Sequence, residues 1–178
     1  MIEGTKTVIC GLTREATPEI LKWVNDPALK PYTGTLYPVS EFEHENWIKN
    51  RAESSTDKLF LIKDKESNTN LGTIGLKNID YINSNAELYI SIGNIKFLSE
   101  NIGGGGQKGF GSDAVITFTD FCFTRLNLHK VYLHVFESNK RAIRCYEKAG
   151  YKVEGRLVEH HFSNGKYEDV LVMGKTKS

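Results

Sequence analysis

The sequence has little cysteine and no long apolar segment. Its 178 residues include only three cysteines, Cys10, Cys122 and Cys145. Cysteines so few and so widely spaced fit neither a metal site nor a disulfide framework, so reduced thiols are expected. No stretch approaches the roughly 18 apolar residues of a membrane-spanning helix, and the opening MIEGTKTVIC lacks the apolar run of a signal peptide. We therefore expect a cytoplasmic protein with no metal and no membrane partner.

A strong charge of either sign is also missing. Lysine and arginine together number 23, aspartate and glutamate 22, and the formal net charge is +1. Nucleic-acid-binding domains usually carry a clear basic excess, so we expect no nucleic-acid partner. The composition, 39% hydrophobic and 25% charged, is that of an ordinary folded domain. Because no linker or break in composition interrupts the chain, residues 1–178 are predicted to form a single domain.

Hydrophobic periodicity and turn signals predict the element order β-α-α-β-β-β-α-β-α-β-β. Thr17, followed by a proline, is the expected N-cap of the first helix. Ser40 and Glu43 form a capping box at the start of the second helix. The pair Asn164–Gly165 is a strong hairpin signal near the C-terminus. The fold class is therefore α/β (or α+β), with a mixed sheet flanked by helices.

The most unusual segment is NIGGGGQKGFGSDAV, residues Asn101–Val115. A glycine in a structured position costs roughly 0.5–1 kcal/mol relative to alanine. A ligand that needs bare backbone N–H groups, such as a phosphate at a helix N-terminus, is the usual compensation. An ATPase phosphate loop is excluded because Phe110 stands where its lysine would be. A dinucleotide fingerprint occurs literally, but glycine-rich runs match it easily, and the position twenty residues on is His129 instead of an acid.

The same segment resembles the pyrophosphate loop of the GNAT N-acetyltransferase superfamily, [QR]-x-x-G-x-[GA]. Gly109 and Gly111 supply its two glycines. One departure is that Gly106 stands where the family has glutamine or arginine, since Gln107 falls one place late. The resemblance implies that successive N–H groups and the helix dipole bind the diphosphate of coenzyme A.

A second element strengthens the resemblance. The segment NKRAIRCYEKAGY is similar to the family's N-x-x-A-x-x-x-Y-x-x-x-G-[FY], with matches at Asn139, Ala142, Tyr146, Gly150 and Tyr151. The closing EGRLVEHHFSNGKYEDVLVMG resembles the branch that contains the ribosomal-protein N-terminal acetyltransferases and the spermidine acetyltransferases. The family fold would make the central sheet mostly antiparallel.

The resemblance implies transfer of an acetyl group from acetyl-CoA to a primary amine, by direct attack in a ternary complex. The acceptor stays open between a protein N-terminus, placed first, and a small amine such as a polyamine, an aminosugar nucleotide or an aminoglycoside. Assembly as a homodimer is implied by the family, although no unbroken apolar stripe decides it. A non-catalytic acyl-CoA sensor, suggested by the altered glycine loop, is the alternative function, and a Rossmann-type nucleotide protein is a weaker one.

Roles for individual residues also follow from the resemblance. Tyr146 is the expected proton donor to the coenzyme sulfur, or else a core aromatic. Glu87 is the expected base, directly or through water, or else an ordinary strand carboxylate. Asn139 would bind the pantetheine arm, cap its helix, or do both, and the Ile92 amide would donate to the thioester oxygen. The complete set of predicted coenzyme-binding residues is Ile90, Ser91, Ile92, Gly106, Gln107, Lys108, Gly109, Phe110, Gly111, Ser112, Asn139, Ala142 and Lys148.

Overall fold

A computed structural model of the chain describes residues 1–97 and 109–178, and its centre is an eight-stranded sheet. The strands are β1 (Ile2–Glu3), β2 (Thr7–Gly11), β3 (Lys58–Asp64), β4 (Asn70–Asp80), β5 (Asn85–Ile92), β6 (Lys130–Phe136), β7 (Lys152–Ser163) and β8 (Lys166–Thr176). The helices are α1 (Thr17–Asn25), α2 (Lys30–Thr33), α3 (Glu41–Glu53), α4 (Phe110–Thr124) and α5 (Lys140–Lys148). A short 3-10 helix, Ile95–Phe97, follows β5.

The sheet is mixed and mostly antiparallel, as predicted. Its order is β1-β2-β3-β4-β5-β6-β8-β7, and every neighbouring pair is antiparallel except β5 and β6. The parallel ladder between β5 and β6 is short and ends at the pair Glu87 and Tyr132. Both strands continue beyond that pair, to Ile92 and Phe136, without pairing with each other. This unpaired stretch opens the centre of the sheet at one end.

Helices cover both faces of the sheet, and neighbouring positions of β3 illustrate the division. Ile62 belongs to the main core, which contains the buried Phe118 of α4 and Tyr146 of α5. Leu61 points to the opposite face, where it packs with Ile20 of α1. Alternation along a strand places such consecutive side chains on opposite faces. The N-terminal end of α4 and α5 thus share one face, beside the opening between β5 and β6.

Two local predictions are confirmed. The Ser40 hydroxyl accepts from the Glu43 backbone N–H at 3.2 Å, and the Glu43 carboxylate accepts from the Ser40 N–H at 2.8 Å, which completes the capping box of α3. Asn164 and Gly165 join β7 to β8 with φ of 50° and 77°. Positive φ at both central positions is what a two-residue hairpin turn of this kind requires.

The prediction of Thr17 as an N-cap is wrong. Ala16 is the N-cap of α1, in a helical conformation, and Thr17 already lies inside the helix. The Thr17 hydroxyl donates to the carbonyl of Thr13 at 3.2 Å, because the chain turns before the helix begins. Two short elements, β1 and α2, were not predicted; α2 forms in the Pro-rich loop and ends at Gly34, whose φ is 69°.

Among the residues described, no helix combines the length and the apolarity that crossing a membrane requires.

Candidate active site

A cleft of about 670 Å³ lies where β5 and β6 part, between the N-terminus of α4, the helix α5 and the short helix α2. It brings together every predicted site residue that the structure describes. These are Glu87, Ile90, Ser91, Ile92, Gly109, Phe110, Gly111, Ser112, Asn139, Ala142, Tyr146 and Lys148. The remaining three, Gly106, Gln107 and Lys108, lie outside the described residues.

The first turn of α4 forms one end of the cleft. Gly109 is the N-cap, with φ of 102°, and no side chain caps the helix. The backbone N–H groups of the first turn therefore have no partner within the helix. An added Cβ on Gly111 would lie 3.7 Å from the Cys145 sulfur and 3.9 Å from Ile92, so this glycine faces the space between α5 and β5. Bare N–H groups beside an uncrowded backbone fit a diphosphate.

An acidic residue holds this helix end in place from outside the cleft. The carboxylate of Asp113 accepts hydrogen bonds from the backbone N–H groups of Thr5, Lys6 and Thr7 at 3.1, 3.0 and 2.9 Å, and from the Thr7 hydroxyl at 2.7 Å. Its charge is thus occupied by the connection between β1 and β2. The first turn of α4 is thus tied to the start of β2 while its residues line the cleft.

Helix α5 contributes two of the predicted residues at fixed positions. Asn139 is its N-cap, and the side-chain oxygen accepts from the Ala142 N–H at 3.1 Å. The capping alternative is confirmed, and the amide nitrogen of Asn139 is the donor that this bond leaves for a ligand. Tyr146 is buried, with its ring 6.2 Å from that of Tyr151. Burial raises the pKa of Tyr146 well above its ordinary value of 10.0, so its hydroxyl stays protonated and can act as an acid.

Glu87 lies at the last position of the β5–β6 ladder and is only 6% exposed. Its carboxylate accepts from Lys77 at 3.0 Å, from His134 Nδ1 at 2.8 Å and from the Asn78 amide at 3.3 Å. Burial alone would raise the pKa of Glu87. The hydrogen bonds from His134 and Lys77 outweigh that effect and hold the pKa below the ordinary value of 4.5. Glu87 is therefore a buried carboxylate that stays ionised, which differs from the exposed strand carboxylate of the alternative interpretation.

His134 was not predicted as a site residue. It lies on β6 two positions beyond the end of the ladder and lines the cleft together with Glu87 and Tyr146. A signal was present in the sequence, since KVYLHVF places His134 on the same strand face as Tyr132 and Phe136. Its importance depends on the contact with Glu87, which is 47 positions away in the chain.

The helix α2 closes the cleft on one side. Tyr32 and Thr33 line it, and the Arg141 guanidinium of α5 stacks 4.7 Å from the centre of the Tyr32 ring. Among the described lining residues, Glu87 is the only carboxylate, whereas Lys77, Arg141, Arg144 and Lys148 are cationic. This balance suits a polyanionic ligand such as coenzyme A at the α5 end.

No group of three or more His, Cys, Asp or Glu side chains is arranged to hold a metal ion within residues 1–97 and 109–178.

The chain is similar to known acetyltransferases in sequence and in structure. Residues 8–152 match the model of the acetyltransferase (GNAT) domain. The spermidine N(1)-acetyltransferase of Vibrio cholerae serotype O1 is 36% identical over 137 residues, which cover 76% of this chain and 73% of that protein. The crystal structure of a spermidine N-acetyltransferase from Vibrio cholerae in complex with CoA and spermine superimposes with a TM-score of 0.81, at 31% identity, and covers 97% of this chain and 96% of that one. A spermidine/spermine N-acetyltransferase from the same organism, in complex with manganese ions, has a TM-score of 0.73 at 30% identity, covering 97% and 93% of the two chains.

These relatives are enzymes, and they give no support to a non-catalytic acyl-CoA sensor. The matched region includes β5, α4 and α5, which build most of the cleft. The chain belongs to the GNAT acetyltransferase family and is an acetyl-CoA-dependent amine N-acetyltransferase.

Proposed function

We propose that acetyl-CoA binds along the cleft, with its diphosphate on the first turn of α4 and its pantetheine arm beside β5. The N–H groups that follow Gly109, which have no partner within the helix, support the first contact. The part of β5 from Leu88 to Ile92 supports the second, because within residues 1–97 and 109–178 it pairs with no strand on its β6 side and can accept an extended chain there. In this arrangement Ile90, Ser91 and Ile92 supply backbone groups to the pantetheine.

Helix α5 binds the same ligand from the opposite wall. Asn139 offers its amide nitrogen to the pantetheine, and Ala142, which also lines the cleft, leaves room for it. Lys148 is one of the cationic side chains near the coenzyme and favours its negative charge. The assignments of Gly106, Gln107 and Lys108 to the diphosphate remain predictions from the sequence.

Two proton transfers accompany the reaction. The acceptor amine must lose a proton before it attacks the thioester, and the departing thiolate must gain one. Tyr146 donates to the sulfur, since burial keeps its hydroxyl protonated. Glu87 is the carboxylate that we assign to the deprotonation of the amine, either directly or through an intermediary such as water. The observation that carries the proposal is that a single cleft contains this acid, this carboxylate and an open helix N-terminus.

We propose a polyamine as the first acceptor to test. The relatives named above act on spermidine, and one of them was solved with spermine. They favour this class over the protein N-terminus that the sequence placed first. A monoamine or a peptide N-terminus is the second candidate, because Glu87 is the only carboxylate among the described lining residues and it already pairs with Lys77. A polyamine is recognised best by several carboxylates.

The experiment is a two-step assay. Calorimetric titration with acetyl-CoA should give a Kd in the micromolar range, equivalent to about −8 kcal/mol. Thiol release is then measured with spermidine, spermine, a simple monoamine and a short peptide with a free N-terminus. A value of kcat/KM at least tenfold higher for the polyamines supports the first candidate, and the reverse order supports the second. Absence of acetyl-CoA binding at millimolar concentration would overturn the assignment of the cleft.

Four further expectations stay proposals. Residues 1–178 act as a single domain, the assembly is a homodimer, the enzyme works in the cytoplasm, and neither a nucleic acid nor a membrane is a partner. The nearly balanced charge of the sequence supports the absence of a nucleic-acid partner. We also propose that catalysis needs no metal.

A further inference from the structure

The pair formed by Glu87 and His134 stands at the point where the sheet opens. The parallel ladder ends at Glu87 and Tyr132, and His134 lies two positions further along β6. Its Nδ1 is 2.8 Å from Oε1 of Glu87, so a side-chain hydrogen bond bridges the strands just where backbone pairing stops. A histidine oriented by a carboxylate is a frequent arrangement for proton transfer.

The other contacts of Glu87 make it a poor final proton acceptor. Lys77, directly across the β4–β5 pair, lies 3.0 Å from the same oxygen, Oε1, and the Asn78 amide lies 3.3 Å from Oε2. Three donors therefore converge on one buried carboxylate. Because an ionised carboxylate can only accept, the Nδ1 of His134 carries the hydrogen in this bond. The lone pair of a neutral His134 is then on Nε2.

His134 is more accessible than its partner. Its side chain is 37% exposed, against 8% for Glu87, and it lines the cleft that also contains Tyr146. Two titratable side chains lie beside the pair: Lys77 from β4, and Tyr132 from β6, whose ring lies 6.0 Å from the imidazole. Other charged or titratable side chains line the same cleft, namely Arg141, Arg144, Tyr146 and Lys148. The neighbour of His134 across the strand pair on β8 is Val172, which does not titrate.

We propose that Nε2 of His134 accepts the proton of the acceptor ammonium group, and that Glu87 is a positioning residue that acts through Nδ1. The proposal rests on the function proposed above and deepens it. The N–H bond of the ammonium breaks and leaves its electron pair on the amine nitrogen, while a new bond forms between that proton and Nε2. The resulting imidazolium is stabilised by the Glu87 carboxylate and later releases its proton to water. Lys77 and Asn78 hold the carboxylate in place.

The central experiment compares the pH dependence of kcat/KM for the wild-type enzyme and for His134→Gln. At pH 7.5 the kcat/KM of the variant should be about 100-fold or more below that of the wild type, which is the usual effect of removing a general base. Only the neutral fraction of the amine reacts without a base, and that fraction rises about tenfold per pH unit below the pKa of the amine. The ratio of the wild-type kcat/KM to that of His134→Gln should therefore fall about tenfold between pH 7.5 and pH 8.5. A loss that is independent of pH would indicate a structural role and would overturn the proposal.

Two further variants keep the test decisive if His134→Gln folds poorly. Added imidazole should raise the activity of His134→Ala at least tenfold, because it can replace the missing base. Glu87→Gln should lose less activity than His134→Gln. The double variant should be no less active than His134→Gln alone, since both residues act in one unit. Fully additive losses, or no response to imidazole in a folded His134→Ala protein, would contradict the proposal.

The controls separate this proposal from the proposed function. His129→Gln changes an exposed histidine just before β6 and should leave the pH profile unchanged. Calorimetry with acetyl-CoA should give the same Kd for wild type and His134→Gln. If the wild type binds no acetyl-CoA and acetylates no amine, the proposed function fails. If the wild type is active and His134→Gln keeps more than a third of its activity at pH 7.5, only the role of His134 fails.

Discussion

The carboxylate of Asp113, in the first turn of α4, accepts from the backbone N–H of Thr7 at 2.9 Å and from its hydroxyl at 2.7 Å. These residues are 106 positions apart in the sequence. The contact joins the helix end that faces the cleft to the start of β2. The same carboxylate also accepts from the backbone N–H groups of Thr5 and Lys6.

Asp113→Ala should therefore lower both stability and affinity. Hydrogen bonds to a charged group are worth about 1.5–3 kcal/mol, and we expect the free energy of unfolding to fall by about 2–3 kcal/mol in urea titrations. The Kd for acetyl-CoA should rise because the first turn of α4 loses its anchor. Asp120→Ala, an exposed change on the same helix, is the matched control and should stay within about 0.5 kcal/mol of wild type. An equal effect of the two substitutions would rule out the anchoring role.

Tyr146→Phe tests the proposed acid. The substitution removes one oxygen from a buried ring and leaves its packing intact, so the Kd for acetyl-CoA should change less than threefold. Turnover should fall by about 100-fold or more because the thiolate loses its proton donor. Tyr151→Phe is the control: its hydroxyl shares a buried hydrogen bond with Thr119 at 2.7 Å, so it should reduce stability while turnover stays near wild type. Comparable losses of turnover in both variants would argue against Tyr146 as the acid.

Gly111→Ala tests whether the diphosphate lies on the first turn of α4. The added Cβ would meet the Cys145 sulfur at 3.7 Å, an ordinary contact, so the fold accepts it. Alanine also favours a helix over glycine by up to about 1 kcal/mol, so the variant should be at least as stable as wild type. If the coenzyme lies against this backbone, its Kd should rise about tenfold or more. Gly11→Ala should leave the Kd unchanged, because among the described residues the added carbon would meet no atom within 4 Å apart from its chain neighbours. Equal affinities for wild type and Gly111→Ala would move the diphosphate elsewhere.

Local chemistry explains which parts of the fold the sequence could predict. The Ser40–Glu43 capping box and the Asn164–Gly165 turn are both decided by residues within three positions of one another, and both form as predicted. Thr17 fails as an N-cap because the preceding turn already provides its hydroxyl with an acceptor at Thr13. Helix α2 has only four residues, too few for a periodic signal.

The part of the site that the sequence predicts is likewise encoded by residues close together in the chain. The motif from Asn139 to Tyr151 lies on one helix and its end, so its pattern is visible in a single stretch. The Glu87–His134 and Thr7–Asp113 contacts join distant segments, and no local pattern encodes them. Sheet topology creates both contacts, and for that reason Glu87 was predicted without its partner.

Removal of metal is expected to have no effect on catalysis. The acid, the carboxylate and the N–H groups that we assign already account for proton transfer and for anion binding, so dialysis against EDTA should leave kcat/KM within twofold of its starting value. Addition of manganese should likewise change it little, although a related enzyme from Vibrio cholerae was solved in complex with manganese ions. A loss of more than tenfold with EDTA, reversed by one divalent metal, would show that a metal takes part.

The contacts of Glu87 also predict how stability depends on pH. Hydrogen bonds from His134 and Lys77 hold its pKa in the folded state below the ordinary value of 4.5, although burial acts in the opposite direction. A carboxyl group with a lowered pKa stabilises the fold fully above the pKa of the unfolded chain. That contribution disappears as the pH falls through the pKa of the folded state, because the unfolded state binds the proton more readily.

Glu87→Gln should accordingly be less stable than wild type at pH 7, and the difference should become smaller below pH 4.5, the ordinary value. Urea unfolding of both proteins at pH 7, 5 and 3.5 measures this change. Glu66→Gln, which alters an exposed carboxylate in the turn between β3 and β4, should leave the pH dependence as in wild type. If the difference between Glu87→Gln and wild type stayed constant across this range, the carboxylate would not be stabilised in its ionised form by His134 and Lys77. Its proposed part in orienting the imidazole would then lose its electrostatic basis.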